Sequence, residues 1–227
     1  MSLAIAMTTT HRQPSTIDRA LVTLRSAGFD ETVHVFAEPE TELARLAGDR
    51  MHVHVNKRRR GCFGNWKKAL KWLVKHTSAS WLLILQDDAI WLPGSAVRLR
   101  SQMDVCRDRR TGLLSPYASC MVVKEGYMEG ANTDGWKECR AGWDFWGALA
   151  FCLKRDAAKE LLQHRRFAKH AGTQQVDAVV AASMLELDRP SFVHLPSLVD
   201  HIGVTSTIGN GDSEWGRRGH RFGERQS

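Results

Sequence analysis

Short apolar segments alternate along the chain with segments in which apolar residues recur at helical spacing. The apolar segments predict β-strands at residues 3–7, 32–36, 51–55 and 81–85. Helical spacing predicts helices after the first and third of these strands, the first with an apolar face from Ile17 to Leu24 and the second carrying Leu70, Leu73 and Val74. The segment 81–85 is apolar at every position, which is typical of a strand that helices cover on both faces. The alternation predicts a single α/β domain with a mostly parallel central sheet flanked by helices.

Two adjacent carboxylates, Asp87 and Asp88, follow the strand predicted at residues 81–85. In open α/β sheets, ligands bind outside the carboxyl ends of the strands. Two neighbouring like charges repel each other, and a bound cation relieves that repulsion. The position of the acids therefore predicts a site for a divalent cation and a phosphate. The alternative is a turn at the protein surface, where Asp is common.

Other polar residues follow the first three strands, whose right-handed crossovers bring their loops to the same edge of the sheet. Hydroxyl groups and an arginine after the first strand suit the base, ribose or phosphates of a nucleotide. Glycines before the second helix leave backbone N–H groups open to an anion, although a simple helix cap by Asn65 is the alternative. The residues that we expect at a nucleotide-binding site formed by these loops are Thr8, Thr10, Arg12, Glu38, Asn65 and Lys68.

Positive charge is concentrated in two parts of the chain. The net charge is +7 and the sequence pI is about 9.4. Four consecutive cations occupy residues 57–60, and the last residues, 211–227, are rich in Gly and Arg. Clustered positive charge favours a polyanionic partner such as nucleic acid, an anionic surface or a phosphorylated substrate. The composition of residues 211–227 predicts a mobile basic tail.

The length of 227 residues suits one large α/β domain, and no linker divides the chain. The five cysteines are odd in number and widely spaced, without a C-x-x-C pair, which favours a reducing, intracellular setting. The first seven residues do not resemble a signal peptide, and no apolar segment approaches the length of a membrane span. We therefore expect a soluble, cytoplasmic protein.

The order of these features resembles that of the GT-A fold (Rossmann-like) glycosyltransferases, which transfer a sugar from a nucleoside diphosphate to an acceptor. In that family an Asp-x-Asp element ends a central strand, and here Gln86-Asp87-Asp88 occupies its place. The resemblance implies that Asp88 binds a metal, Mn²⁺ or Mg²⁺, while Gln86 and Asp87 contact the donor. His201, within P-S-L-V-D-H-I-G, is similar to a late histidine that completes the metal site in the family.

The second half of the chain continues the resemblance. Residues 143–159 look like the loop, strand and helix that shape the acceptor side, with Gly147 letting the backbone approach the donor sugar. Trp143 and Trp146 would then stack on a sugar or a nucleobase of the acceptor. Asp177 occupies the place of the catalytic base of inverting members, and Asp144 is the second candidate for that role.

The resemblance implies a glycosyltransferase domain over residues 1–210, with a donor half at about 1–95 and an acceptor half at about 96–210. The implied partner is a nucleotide-sugar donor, with a UDP-sugar as the first candidate. The expected acceptor is an anionic molecule such as DNA with hydroxymethylated bases or a phosphorylated glycan precursor. Two other classes stay open: a nucleic-acid-binding protein without catalysis, and a metal-dependent nucleotidyltransferase or phosphohydrolase that uses the same acids.

Overall fold

The computed structural model describes residues 1–41, 50–120, 134–139, 147–170, 175–202 and 218–223. These residues form ten strands, eight of them in one sheet. The strands are β1 (Leu3–Thr9), β2 (Val33–Ala37), β3 (Met51–Val55), β4 (Trp81–Gln86), β5 (Ala89–Trp91), β6 (Leu113–Ser115), β7 (Gly135–Cys139), β8 (Ala150–Lys154), β9 (Ser191–Leu195) and β10 (Val199–His201). The helices are α1 (Ile17–Ser26), α2 (Gly61–His76), α3 (Ser95–Val105), α4 (Arg155–Gln163), α5 (Arg165–Ala168) and α6 (Val176–Glu186).

The central sheet has the strand order β3-β2-β1-β4-β8-β6-β9-β7. Strands β3, β2, β1 and β4 are mutually parallel, so their carboxyl ends lie on one edge. Strand β8 pairs antiparallel with β4 and with β6, whereas β9 is parallel to β6 and antiparallel to β7. The first half of the sheet therefore supplies one edge rich in loops, as parallel strands require.

Strand β4 is the centre of the sheet and is buried on both faces. Trp81, Leu83 and Leu85 belong to a core with α1 and α3. Leu82 and Ile84 belong to a second core with α2, α4 and α6. This confirms the α/β fold with helices on both faces that the consecutive apolar residues predicted.

A separate two-stranded antiparallel ribbon of β5 and β10 follows the end of β4. Its register pairs Ala89 with His201 and Ile90 with Asp200. The ribbon begins directly after Asp88, and the Ile202 N–H donates to the Asp88 carbonyl at 3.0 Å. A residue from near the end of the chain is thereby placed beside the acids of β4.

Residues 218–223 belong to the folded domain, although the sequence predicted a mobile tail from residue 211. The His220 N–H donates to the Ala118 carbonyl at 2.7 Å, and the Ser197 N–H donates to the His220 carbonyl at 2.8 Å. A Cβ at Gly219 would lie only 2.6 Å from a backbone oxygen, so the segment packs as closely as glycine allows. The other residues of the predicted tail lie outside the described part of the chain. Within that part, no helix is long and apolar enough to cross a membrane.

Candidate active site

Asp87 and Asp88 directly follow the last residue of β4, at the carboxyl edge of the parallel strands. The Asp87 N–H donates to the Thr8 carbonyl at 3.1 Å, which holds the acids beside the end of β1. Both residues are buried, with Asp87 2% and Asp88 1% exposed. Two buried carboxylates next to each other are unfavourable unless positive charge lies close to them.

Arg12 supplies positive charge to both acids. Its Nη1 lies 2.8 Å from Asp88 Oδ2, and its Nη2 lies 3.1 Å from Asp87 Oδ1. The Arg12 side chain is only 14% exposed, and its buried Nε has no hydrogen-bond partner within the described ranges. The guanidinium thus bridges the two carboxylates from the loop after β1.

The ionised form of Asp87 remains unfavourable although Arg12 bridges the two carboxylates. Burial and repulsion by Asp88 raise the pKa of Asp87 to about 6, against the opposing effects of Arg12, Thr9 and the Thr10 backbone N–H. The Thr9 hydroxyl donates to Asp87 Oδ2 at 2.6 Å. A second cation beside this pair would therefore stabilise the ionised form.

His201 lies against Asp88, with its Nε2 3.2 Å from Asp88 Oδ2. Asp88 Oδ1 is buried and accepts no hydrogen bond from the described residues. An imidazole nitrogen beside a carboxylate oxygen fits Mn²⁺ or Mg²⁺, with the nitrogen favouring Mn²⁺. The described ranges contain no group of three His, Cys, Asp or Glu side chains that could hold a metal ion by themselves.

A buried polar network fixes the loops beside these acids. Both carboxylate oxygens of Glu38 accept hydrogen bonds from the Arg60 N–H at 3.0 Å, at the start of α2. Asn56 donates to Asn65 Oδ1 at 2.9 Å and accepts a hydrogen bond from Lys68 Nζ at 2.6 Å. Asn65 lies inside α2, not at its cap, and its amide also donates to a backbone carbonyl of β2. The network ties the ends of β2 and β3 to the first turns of α2.

A loop before β8 reaches the same edge of the sheet. The Gln86 amide donates to the Ala148 carbonyl at 3.2 Å, and a carboxylate oxygen of Asp177 accepts a short hydrogen bond from the Gly147 N–H. Gly147 has φ of +97°, and a Cβ there would lie 2.8 Å from Tyr117 Cε1. Both facts exclude a larger residue, so this glycine lets the loop sit between β4 and α6.

Asp177 lies in the first turn of α6 and is 6% exposed. Burial raises the pKa of Asp177, and hydrogen bonds from the backbone N–H groups of Gly147 and Ala178 oppose that shift. Cys62 lies in the first turn of α2, near enough to Asp88 and Asp177 for both carboxylates to act on its thiol electrostatically. Cys62 is exposed by its surface area, but the protein packed around its thiol and the two carboxylates both raise the pKa of that thiol.

The structure brings most of the expected site residues to one edge of the sheet. The ends of β1 and β4 supply Thr8, Thr10, Arg12, Gln86, Asp87 and Asp88, and Glu38, Asn65 and Lys68 form the network beside them. Ribbon residue His201 contacts Asp88, while Gly147 and Asp177 contact each other. Trp143, Asp144 and Trp146 lie outside the described residues. The individual roles assigned to all these side chains stay predictions.

Two residues of this site, Asn56 and Cys62, were not expected from the sequence, and Thr9 was expected only as one of the hydroxyl groups after the first strand. Thr9 and Asn56 are polar residues at or just after the ends of strands β1 and β3. The rule that selected Asp87 after β4 would also have selected them. Cys62 carried no such signal, because a single cysteine at the start of a helix indicates nothing about its distant neighbours.

No protein-family model and no curated protein matches this chain. Its fold is similar to the solved structure of the mannosyltransferase PcManGT from Pyrobaculum calidifontis, determined in complex with GDP-Man and Mn²⁺. The TM-score is 0.56 at 14% sequence identity, and the match covers 86% of this chain and 57% of that chain. The chain therefore has a glycosyltransferase fold of the GT-A, Rossmann-like type, and it spans a little more than half the length of this neighbour.

Proposed function

We propose that this protein is a metal-dependent glycosyltransferase that moves a sugar from a nucleoside-diphosphate donor to an acceptor hydroxyl. One observation carries the proposal. Within a glycosyltransferase fold, the β5–β10 ribbon places His201 Nε2 3.2 Å from Asp88 Oδ2, at the carboxyl end of the central strand. A buried carboxylate with an imidazole at this edge suits a cation that binds a diphosphate.

Asp88 and His201 would hold the cation, Mn²⁺ or Mg²⁺. When bound, it supplies charge neutralisation to the diphosphate leaving group. The solved neighbour, which is in complex with GDP-Man and Mn²⁺, supports a divalent metal and a nucleotide-sugar partner. For this chain we propose a hexose donor, with UDP-sugars as the first candidates.

The remaining residues position the reactants. Arg12, which bridges the acids, has a planar guanidinium suited to phosphate oxygens. Asp177 is our candidate for the base that accepts the proton of the acceptor hydroxyl, since its raised pKa makes it a stronger base than an ordinary carboxylate. Asp144 remains the second candidate for this role.

The acceptor is proposed to be anionic, such as DNA with hydroxymethylated bases or a phosphorylated glycan precursor. Lys57 and Arg58–Arg60 are exposed and follow β3 at the edge of the candidate site. None of the four forms an ion pair with another described residue. Unneutralised positive charge of this kind attracts polyanions and also supports the alternative of a nucleic-acid-binding protein that is not an enzyme.

The decisive experiment measures donor turnover. The purified protein is given UDP-, GDP-, TDP- and CDP-sugars, with and without Mn²⁺, and nucleoside diphosphate release is measured. We expect slow hydrolysis of one donor that requires the metal and falls at least about a hundredfold in Asp88→Asn. Asp104→Asn is the matched control, because this exposed acid of α3 forms its ion pair with Arg107 on the protein surface.

The products separate the three classes of protein. Release of phosphate or pyrophosphate in place of an intact nucleoside diphosphate would identify a phosphohydrolase or nucleotidyltransferase. Full activity of Asp88→Asn would contradict the proposed metal site. Nucleic-acid binding that is lost when residues 57–60 are neutralised, with neither turnover nor nucleotide binding, would identify the non-catalytic alternative.

A further inference from the structure

A cavity of about 490 Å³ lies behind the β5–β10 ribbon. Successive residues of a strand point to opposite faces, so Asp200 and its cross-strand partner Ile90 face this cavity while His201 faces Asp88. The cavity is therefore separate from the candidate donor site, although one ribbon forms part of both. Its lining residues are Arg19, Ile90, Asp200, Ile202, Arg218, Gly219, Arg221 and Phe222.

The wall of the cavity is positively charged. Arg218 Nη1 lies 2.7 Å from Asp200 Oδ2, and Arg221 Nη1 lies 3.0 Å from Asp134 Oδ1. Arg19, an exposed residue of α1, forms no ion pair with any residue of the described ranges. Among the described residues, these three arginines are accompanied by two carboxylates, so the described part of the wall has one positive charge in excess.

The arginines contributed by the C-terminal segment are held in place. Asp200 is 5% exposed, and its two oxygens accept hydrogen bonds from Arg218 Nη1 and the Gly219 N–H, each at 2.7 Å. The Arg221 guanidinium donates a hydrogen bond to Asp134 Oδ1 at 3.0 Å. A guanidinium that is already positioned loses little freedom when it binds a ligand.

Apolar side chains cover the rest of the cavity: Ile90, Ile202 and Phe222. A small inorganic anion would use only the arginines. A phosphate attached to an apolar or planar body would use the arginines and these side chains together. Guanidinium groups match phosphate oxygens in pairs, so phosphate is the anion that this wall fits best.

We propose that this cavity is a second ligand site, which binds a phosphate group carried on an apolar or planar body the size of a mononucleotide. The site is distinct from the one that holds the donor. If the chain is the glycosyltransferase proposed above, this ligand is part of the acceptor, and that assignment alone rests on the proposed function. Phosphate binding by the cavity does not depend on it.

The test is a binding measurement on the full-length protein without donor or metal. Inorganic phosphate and deoxynucleoside 5′-monophosphates are titrated in a calorimeter against wild type and Arg19→Gln. We expect the monophosphates to bind more tightly than inorganic phosphate, and Arg19→Gln to weaken both about tenfold because one charge-assisted hydrogen bond is lost.

Arg107→Gln is the matched control, since it removes one exposed positive charge that does not line the cavity. Phe222→Ala tests the apolar part: it should weaken the monophosphates and leave inorganic phosphate unchanged. Equal losses in Arg19→Gln and Arg107→Gln would show binding by overall charge only and would overturn the proposal. Absence of binding by every phosphate probe would also overturn it.

Two further titrations separate the sources of the phosphate. A short single-stranded oligodeoxynucleotide and vesicles containing phosphatidylglycerol are compared for binding that Arg19→Gln reduces and Arg107→Gln does not. The oligonucleotide result identifies a nucleic-acid phosphate, and the vesicle result identifies a lipid phosphate. Sensitivity of neither to Arg19→Gln would restrict the site to small phosphorylated molecules, which the monophosphate titration measures directly.

Discussion

Replacement of Arg12 by glutamine should lower the free energy of unfolding of the metal-free protein and increase its affinity for Mn²⁺. Arg12 lies 2.8 Å from Asp88 and 3.1 Å from Asp87, so it occupies the position in which a cation would neutralise the same two carboxylates. At an effective dielectric constant of about 20, unit charges about 3 Å apart attract by about 5.5 kcal/mol. The guanidinium is therefore a strong competitor for a metal ion at this site.

The expected loss of stability is smaller than that attraction. Removing one partner of a buried ion pair costs about 3–5 kcal/mol. The pKa of Asp87 is already raised to about 6, so Asp87 can take up a proton once Arg12 is removed. That proton replaces part of the lost positive charge. We expect the free energy of unfolding at pH 7 without metal to fall by about 2–4 kcal/mol.

The assay combines urea unfolding with a titration of Mn²⁺ followed by the electron paramagnetic resonance of the free ion. We expect Arg12→Gln to bind Mn²⁺ about tenfold more tightly, which corresponds to about 1.4 kcal/mol, a quarter of the attraction estimated above. At a Mn²⁺ concentration of about 100 times the variant's Kd, the metal would stabilise the variant by about 2.7 kcal/mol and the wild type by about 1.4 kcal/mol. The difference in the free energy of unfolding between wild type and Arg12→Gln should therefore be smaller with Mn²⁺ than without it.

Arg107→Gln serves as the control, because its exposed pair with Asp104 lies at the C-terminal end of α3 and contributes at most about 1 kcal/mol. The reasoning is refuted if Arg12→Gln binds Mn²⁺ with unchanged affinity and unfolds at the same urea concentration as the wild type. Weaker Mn²⁺ binding would refute it in a different way, since Arg12 would then hold the carboxylates in the orientation that the metal requires.

Two further predictions concern stability. Gly147→Ala should lower the free energy of unfolding in urea by about 2 kcal/mol or more, because φ is +97° and the new Cβ would lie 2.8 Å from Tyr117 Cε1. Gly61→Ala has a similar φ of +70° but no atom within 4 Å of the new Cβ, so its free energy of unfolding should fall by less. Equal decreases in the two variants would exclude the clash with Tyr117 as the cause. Burial, followed by repulsion from His54 and His52, lowers the pKa of His34 to about 4, so the unfolded chain binds more protons and stability should fall as pH decreases from about 6.5 to about 4. The decrease in the free energy of urea unfolding from pH 7 to pH 5 should be smaller in His34→Gln than in the wild type or in the control His11→Gln. A decrease in His34→Gln as large as that of the wild type would contradict the assignment to His34.

The parallel half of the sheet was predictable because each strand carries its own signal. Strand β4 is buried on both faces, so every residue of 81–85 had to be apolar, and the acids that follow had to leave the core. The same local logic located β1, β2 and β3 and the helices that follow β1 and β3. The antiparallel position of β8 beside β4 was not predictable, because apolar residues indicate burial and not the neighbour against which a strand pairs.

The candidate site divides in the same way between local and distant information. The polar residues after strands β1, β2 and β4 follow from the sequence, because parallel strands end on one edge of a sheet. His201 and Asp177 follow from the resemblance to a known family and not from the pattern of strands and helices. No sequence pattern indicated that Arg12 bridges Asp87 and Asp88, or that Asp177 bonds the backbone of Gly147.

The sequence by itself therefore determined which segments enter the core and which edge of the sheet is polar, because burial and periodicity act over a few neighbouring residues. Only the tertiary structure decided the partners of the charged groups. Arg218 meets Asp200, and His201 meets Asp88, because the β5–β10 ribbon and the C-terminal segment fold back across the end of β4. Electrostatic energy depends on distances of a few ångströms between groups that lie far apart along the chain.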